Sequence, residues 1–524
     1  MNALVLNLTR FGDLLQSQPV MAGLSEAGFK AGAVCLENFA QAAELLPDAQ
    51  KIAPLPGAGL LSDLQRSWPS GVQRLESWIR DLYDEFAPDL VINLTPSLTS
   101  RLLTHRMTAA GVPARGFLVD GYGFNADSSP WAAFLQLAAA ERGVSPFNIV
   151  DLFVRVAGLP HSGKGLSAAV PEGPTSRSME ASLSRATPPG AKGLIALQLG
   201  ASNDMRRWPV EKFRELATRL WEQEALAPML LGSAAETPLA LRFKEKNRTP
   251  VIDLVGKTSL SELAAALSSA SACVTNDTGT MHLAAALGLP VAAIFLATAQ
   301  PFDTGPARLG CLCLEPDMDC HPCPFKQPCP RNQACRQAID AQTVADLVRH
   351  RLREGQWPQS VTAGPRVWET VLDEENWRFL KSLSGHDRTD RVRWIKIQRR
   401  LFRRFLDGEP PGALDGLSPL SEDLQASLSQ TASDALAIGE LLLQQCALLA
   451  RDPRPALKSK FLTFCQRFQQ TLEICPHLAS LAGLWRFELQ NYAMSLPGLS
   501  AVIERYMTLL RSLRAFSDSD RHAS

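Results

Sequence analysis

The sequence predicts an α/β protein: two parallel-sheet domains followed by an all-helical part. Three observations carry that prediction. Short, nearly unbroken apolar runs alternate with segments of helical spacing through residues 1–356, as expected of strands covered by helices on both faces. A Gly/Pro/Ser-rich interval interrupts the alternation at residues 158–192, and strand-like runs stop beyond about Trp357. The chain also has 524 residues, more than one core ordinarily serves.

In chain order, ALVLNL (Ala3 to Leu8), AGAVCLE, DLVINL and ARGFLVD (Ala114 to Asp120) are the strands expected of a first domain, residues 1–157. Helices are expected at Gly71 to Phe86 and Pro146 to Ala157. Residues 158–192 have no sustained apolar period and read as a linker. In the second domain, residues 193–356, GLIALQLG, APMLLGS and VIDLVG are strands. PVEKFRELATRLWEQ, PLALRFKEK and LSELAAALSSA are helices, the last capped by Ser259 or a neighbour. CVTNDTGTMHLAAALGLPVAAIF, from Cys273 to Phe295, then reads strand, turn, helix, strand. Residues 367–524 are expected to be helical throughout, because DEENWRFLKSL, VRWIKIQRRLFRRFL and SEDLQASLSQTASDALAIGELLLQQCALLARD all show helical spacing.

Bulk composition narrows the partners. Lys+Arg and Asp+Glu both number 53, so no global charge argues for nucleic acid or a membrane surface. The N-terminus lacks a basic region ahead of an apolar run, and no uninterrupted apolar stretch reaches bilayer length. A cytoplasmic protein with its 11 cysteines reduced is the expectation.

Ligands of parallel sheets bind outside the carboxyl ends of the strands, so the segments there are the candidates. After the first strand comes Gly12-Asp13, expected in the turn before a helix. Asp13 there suits either a general base or a helix N-cap. After GLIALQLG come Ser202, Arg206 and Arg207; an arginine there either neutralises phosphate or is simply solvated. Glu236, after APMLLGS, suits a ribose diol or a helix start. In NDTGTMH, Thr278, Gly279 and Thr280 open a helix whose first amides suit phosphate. Asp277 would repel phosphate, so it caps the turn or holds a hydroxyl, and His282 either donates to phosphate or packs.

Together, RFGDLLQSQPVMAGL, LGASNDMRRWP, VGKTSLSELAAALSSA, NDTGTMHLAAALGLPVAAIF and the later Gly305-Pro306 resemble glycosyltransferase family 9, the ADP-heptose:lipopolysaccharide heptosyltransferase group, over roughly residues 1–353. The resemblance implies a GT-B fold, with the acceptor mostly on the first Rossmann-like domain and the nucleotide sugar mostly on the second. It implies inverting transfer without a catalytic metal or cofactor, from a nucleotide sugar such as ADP-heptose to a lipopolysaccharide-type or other lipid-linked glycan. Asp13 matches the family's proposed base, and Thr278, Gly279 and Thr280 match the diphosphate turn, with Asp277 and His282 in the same motif. Arg206 stands where the family commonly has lysine, which exchanges a point charge for a planar fork. Glu236 corresponds to the ribose acid. The alternatives are a GT-B nucleotide-sugar epimerase, or a non-catalytic glycan-binding scaffold working through its helical part.

Two further features stand apart. Within the loop 311–335, Cys320, Cys323, Cys329 and Cys335 are spaced C-x2-C-x5-C-x5-C, making a structural zinc one reading and a loop of reduced or disulfide-linked cysteines the other. RVRWIKIQRRLFRRFL, from Arg391 to Leu406, is a basic amphipathic helix: it either rests peripherally on the inner membrane or packs its apolar stripe inside the protein.

Overall fold

The computed structural model describes every residue except 142, 144, 162, 171, 326, 363, 493, 494 and 520–524. Two linker positions, one position of the cysteine loop and the end of the helical part thus lie outside the described residues. The chain forms two compact units: Met1–Arg115 with Phe147–Gly385, and Gly116–Pro146 with His386–Ser524.

The first unit holds both sheets. Strands β1 (Asn2–Leu6), β2 (Lys30–Leu36), β3 (Ala49–Leu55), β4 (Leu90–Asn93) and β5 (Ala114–Gly116) are ordered β3-β2-β1-β4-β5. β1 runs parallel to both β2 and β4. Leu4, Leu6, Val34 and Val91 bury against Ile79, Leu82 and Phe86 of helix Trp68–Phe86. Gly32 permits that approach, since a Cβ there would stand 2.8 Å from Leu4 Cδ2 and 3.0 Å from Phe86 Cε1.

The second sheet comprises β6 (Gly193–Gln198), β7 (Leu226–Leu231), β8 (Ile252–Asp253), β9 (Ala272–Asn276), β10 (Val291–Ile294), β11 (Leu312–Glu315), β12 (Arg366–Leu372) and β13 (Arg378–Ser382). Its order is β13-β12-β11-β10-β9-β6-β7-β8, with β12 and β13 antiparallel to their neighbours. Helices Val210–Glu224 and Ala341–Glu354 bury Phe213, Leu216, Val344 and Leu347 against Ile195, Leu197, Val274 and Ile294.

Three expectations change. DEENWRFLKSL is a turn and a strand: Trp377, Leu380 and Leu383 are three apart and imitate a helical stripe, but the open edge of β11 takes β12, and β13 pairs in turn. The helical part therefore begins near Asp390, beyond the expected residue 367. ARGFLVD contributes only Ala114–Gly116 to the sheet, and residues 116–146 join the helical unit. The linker contains helix Pro174–Ala186, which buries Met179 and Leu183 one turn apart. It is also strapped to both domains, since Leu166 N donates to Ala307 O, Ala168 N to Ala286 O and Ala169 N to Leu45 O.

The second unit contains helices Pro130–Ala140, Asp390–Leu406, Glu422–Arg451, Pro455–Ile474, Ala479–Tyr492 and Leu496–Ser519. Aromatic contacts bind it: Phe134 to Phe402 at 5.8 Å, and Trp485 to Phe468 at 4.7 Å and to Tyr506 at 5.1 Å. The basic helix Asp390–Leu406 turns its apolar stripe inward: Val392, Ile397, Leu401, Phe402 and Phe405 are buried. Even Arg399 is buried, donating to Pro146 O at 2.7 Å. Its apolar face is thus committed to protein and does not support the membrane reading. Helix Glu422–Arg451 is long and apolar enough to cross a bilayer, and half of its most apolar window is buried in the protein.

Candidate functional site

Both sheets reverse their strand order at one place: between β1 and β4 in the first, between β6 and β9 in the second. The backbone parts beyond the carboxyl ends at such a point, which leaves room for a ligand. The predicted site residues follow β1, β6, β7 and β9, so three of the four segments stand at these switch points.

After β1 the chain enters helix Phe11–Gln16 at once, then helix Gln18–Glu26 with Pro19 in its first turn. Gly12 and Asp13 lie inside the first turn of the first helix and not in a loop before it. The cap position is Arg10, so Asp13 is not the N-cap. Asn7 donates Nδ2 to the backbone oxygen of Asp13 at 2.9 Å and fixes the turn.

After β9, Thr278 is the cap residue of helix Gly279–Ala286, and its side chain makes no cap bond to the helix's amides. The Thr278 hydroxyl lies 3.3 Å from that of Thr275. Leading amides and a helix dipole of this kind suit an anion. His282, the fourth residue of that helix, is buried. The two domains meet here: a Cβ on Gly12 would stand 3.1 Å from Gly279 Cα and 3.3 Å from His282 Cδ2, and one on Gly279 would overlap the Phe11 ring. The Gly12-Asp13 turn is thus seated on the Thr278–Thr280 turn, with glycine on both sides because no side chain fits between.

Arg206 ends the short turn Asp204–Arg206 after β6. Its Nε and Nη2 donate to Thr298 Oγ1 at 2.9 and 2.7 Å, and Nη1 lies 3.4 Å from Asp277 Oδ2. Asp277 therefore pairs with the cation of the turn. Ser202 is exposed at the start of the same loop. Glu236 forms a capping box with Ser233, whose amide it accepts at 2.6 Å, and also accepts from Gln198 Nε2 at 3.2 Å. This is the helix-start reading of Glu236. It ties the acid to the Thr278–Thr280 turn indirectly, because Gln198 Oε1 accepts from Thr280 Oγ1 at 3.1 Å.

Several residues essential to this geometry escaped the sequence reading. Asn276, fully buried, donates Nδ2 to the carbonyls of Leu199 and Gly200 at 3.0 and 3.1 Å, and its Oδ1 accepts Trp208 N at 2.9 Å. It holds the loop carrying Ser202 and Arg206 against β9. The signal was a buried strand ending on an amide side chain. Gln198, at the carboxyl end of β6, carried the same signal, whereas Thr298, four residues beyond β10, carried none.

Of the two readings of the cysteine loop, the described residues favour free thiols over a zinc site. All eleven cysteines are free, and among the described residues no group of three or more His, Cys, Asp or Glu side chains could hold a metal ion. Burial pushes the Cys323 and Cys335 thiols up, and the neighbouring thiols push them further. The loop's backbone is instead committed to the second domain, with Cys323 N donating to Ala297 O at 2.8 Å.

Comparison with known proteins bears on this geometry. The family model for glycosyltransferase family 9 (heptosyltransferase) matches residues 84–333. Lipopolysaccharide heptosyltransferase 1 of Pseudomonas aeruginosa is 26% identical over 331 residues, 63% of this chain and 87% of that protein. Lipooligosaccharide heptosyltransferase 2 of Haemophilus influenzae is 33% identical over 118 residues, 22% of this chain and 34% of that protein. Among solved structures, a family 9 glycosyl transferase from Veillonella parvula has a TM-score of 0.53 at 20% identity, covering 67% of this chain and 97% of that one. That likeness carries the fold, a GT-B pair of Rossmann-like domains.

Proposed function

We infer the function from one premise: the chain is a glycosyltransferase family 9, heptosyltransferase-like protein, and hence an enzyme that transfers a sugar. The finer reading is that it moves a heptose, or a related sugar, from a nucleotide diphosphate such as ADP-heptose to a hydroxyl of a lipopolysaccharide-type glycan. Relatives named lipopolysaccharide and lipooligosaccharide heptosyltransferases support it. The observation that carries it is the seating of the Gly12-Asp13 turn on the Thr278–Thr280 turn.

In this reading the bond from the anomeric carbon to the diphosphate oxygen breaks as the acceptor oxygen attacks from the opposite face. Asp13 takes the acceptor's proton as the new bond forms. The electron pair departs with the nucleoside diphosphate. The leading amides of helix Gly279–Ala286 and the Arg206 guanidinium meet that growing charge in a site already oriented for it. Asp277, held by Arg206, limits the cation's freedom and is not the base. Ser202 and Glu236 complete the donor side, Glu236 through Gln198 or by direct contact. His282 lines the junction of the two turns. A cytoplasmic location, peripheral to the inner membrane where a lipid-linked acceptor lies, belongs to the same reading.

Asp13→Asn keeps shape and removes the base. The expected loss in kcat is on the order of 100-fold or more, with donor binding unchanged. A wild-type rate in a transfer assay with ADP-heptose removes the base from Asp13. Thermal shift with ADP-, UDP-, GDP- and CMP-sugars tests the donor, and stabilisation by one nucleotide class is the expected outcome.

A further inference from the structure

Arg206 and Thr298 come from different connections of the second domain, and the cysteine-rich loop touches the carriers of both. Thr298 follows Ala297, a non-glycine residue with φ 55°. A left-handed alanine is disfavoured by its Cβ, so this turn needs holding. Cys323 N holds it by donating to Ala297 O at 2.8 Å. On the other side, Arg336 Nε donates to Arg207 O at 3.0 Å, next to Arg206 itself. Arg336 is steadied in turn by Gln333 Oε1 at 2.9 Å, and Trp208 Nε1 donates to Ile339 O at 3.0 Å. One segment, Cys323 to Ile339, thus grips both ends of the Arg206–Thr298 contact.

The contact itself is specific. Thr298 Oγ1 accepts two bonds from one guanidinium edge, from Nε and Nη2, and leaves Nη1 toward Asp277 at the phosphate turn. A guanidinium is planar and rigid, so fixing one edge fixes the direction of the remaining N–H groups. Without that acceptor the side chain regains rotamers that point away from the turn.

We propose that Thr298 is a positioning residue that aims Arg206 at the donor diphosphate, and that the cysteine-rich loop is the brace holding the two in register. This rests on the donor role given to Arg206 above.

The test is steady-state kinetics and donor binding on the full chain with Thr298→Val, Thr298→Ser, Arg206→Ala and the Thr298→Val/Arg206→Ala double variant. Valine keeps the β-branched shape and removes the acceptor. Expected for T298V is a loss in kcat/KM for the nucleotide sugar of about 10-fold or more, as a charge-assisted hydrogen bond would give, with an unchanged melting temperature. T298S retains most of the activity, and T298V adds little to R206A, because both act through one guanidinium. Arg336→Gln is expected to weaken donor binding in the same direction, less than T298V. A harmful R206A with a silent T298V, or losses that multiply in the double variant, overturns the positioning role alone. A silent R206A overturns the donor role of Arg206 and this inference together.

Discussion

Asn276 shows how much one buried side chain can organise. Its amide satisfies carbonyls of the β6 loop and the amide of Trp208, all in a site without access to water. Asn276→Ala leaves these groups short of partners, so a destabilisation of about 2 kcal/mol is expected in denaturant unfolding. Donor affinity should fall with it, because the loop carrying Arg206 loses its anchor. Unchanged unfolding would mean that the loop is held elsewhere. The strand-to-helix turns that carry Asp13 and Thr278–Thr280 were legible from the sequence because such a turn is written in neighbouring residues. Asn276, Gln198 and Thr298 were not, since their side-chain partners lie between 38 and 92 residues away along the chain.

At the scale of elements, capping decides where helices begin. Helix Ala341–Glu354 starts at Asp340, whose side chain accepts Thr343 N at 2.7 Å and Thr343 Oγ1 at 2.8 Å. Burial alone would raise the Asp340 carboxyl, but the bonds from Thr343 outweigh it and hold the group below its ordinary 3.8. A folded-state value below the unfolded one stabilises the protein above the unfolded value. That contribution is lost as pH falls through the lower folded value. Asp340→Ala is therefore expected to cost about 1 kcal/mol at neutral pH. The gap between the two proteins should narrow in urea titrations carried below an unfolded-state value of about 4. A gap that widens in acid would contradict the assignment. The long amphipathic helix Asp390–Leu406 teaches the complementary lesson. Spacing revealed its apolar stripe correctly, yet whether that stripe meets lipid or protein is a question of neighbours.

At the scale of the whole molecule, the helical unit is not a simple appendage. Residues 116–146 belong to it, with Trp131 donating to Asp407 Oδ1 at 2.7 Å and Phe134 against Phe402. Removing residues 386–524 would uncover Trp131, Phe134, Leu135 and Leu137 together, each worth about 2 kcal/mol of apolar burial. The truncated chain is expected to aggregate in size-exclusion chromatography. Replacing those four residues by polar ones in the same truncation should restore a monodisperse product; a soluble truncation without them would show that the unit is separable. Cutting nearer residue 360 would also delete β12 and β13, which complete the second sheet. The sequence by itself determined the two α/β domains, the turns beyond the carboxyl ends of their strands and the family resemblance, because strand burial and turn chemistry are written in residues close together along the chain. Only the tertiary structure decided that a stretch with helical spacing becomes an edge hairpin, that the linker is strapped down, that the basic helix faces inward and that the cysteine-rich loop bonds the Ala297 turn through the Cys323 amide. Each of those outcomes depends on which distant group satisfies a buried bond or an open edge, and spacing along the chain carries no record of that partner.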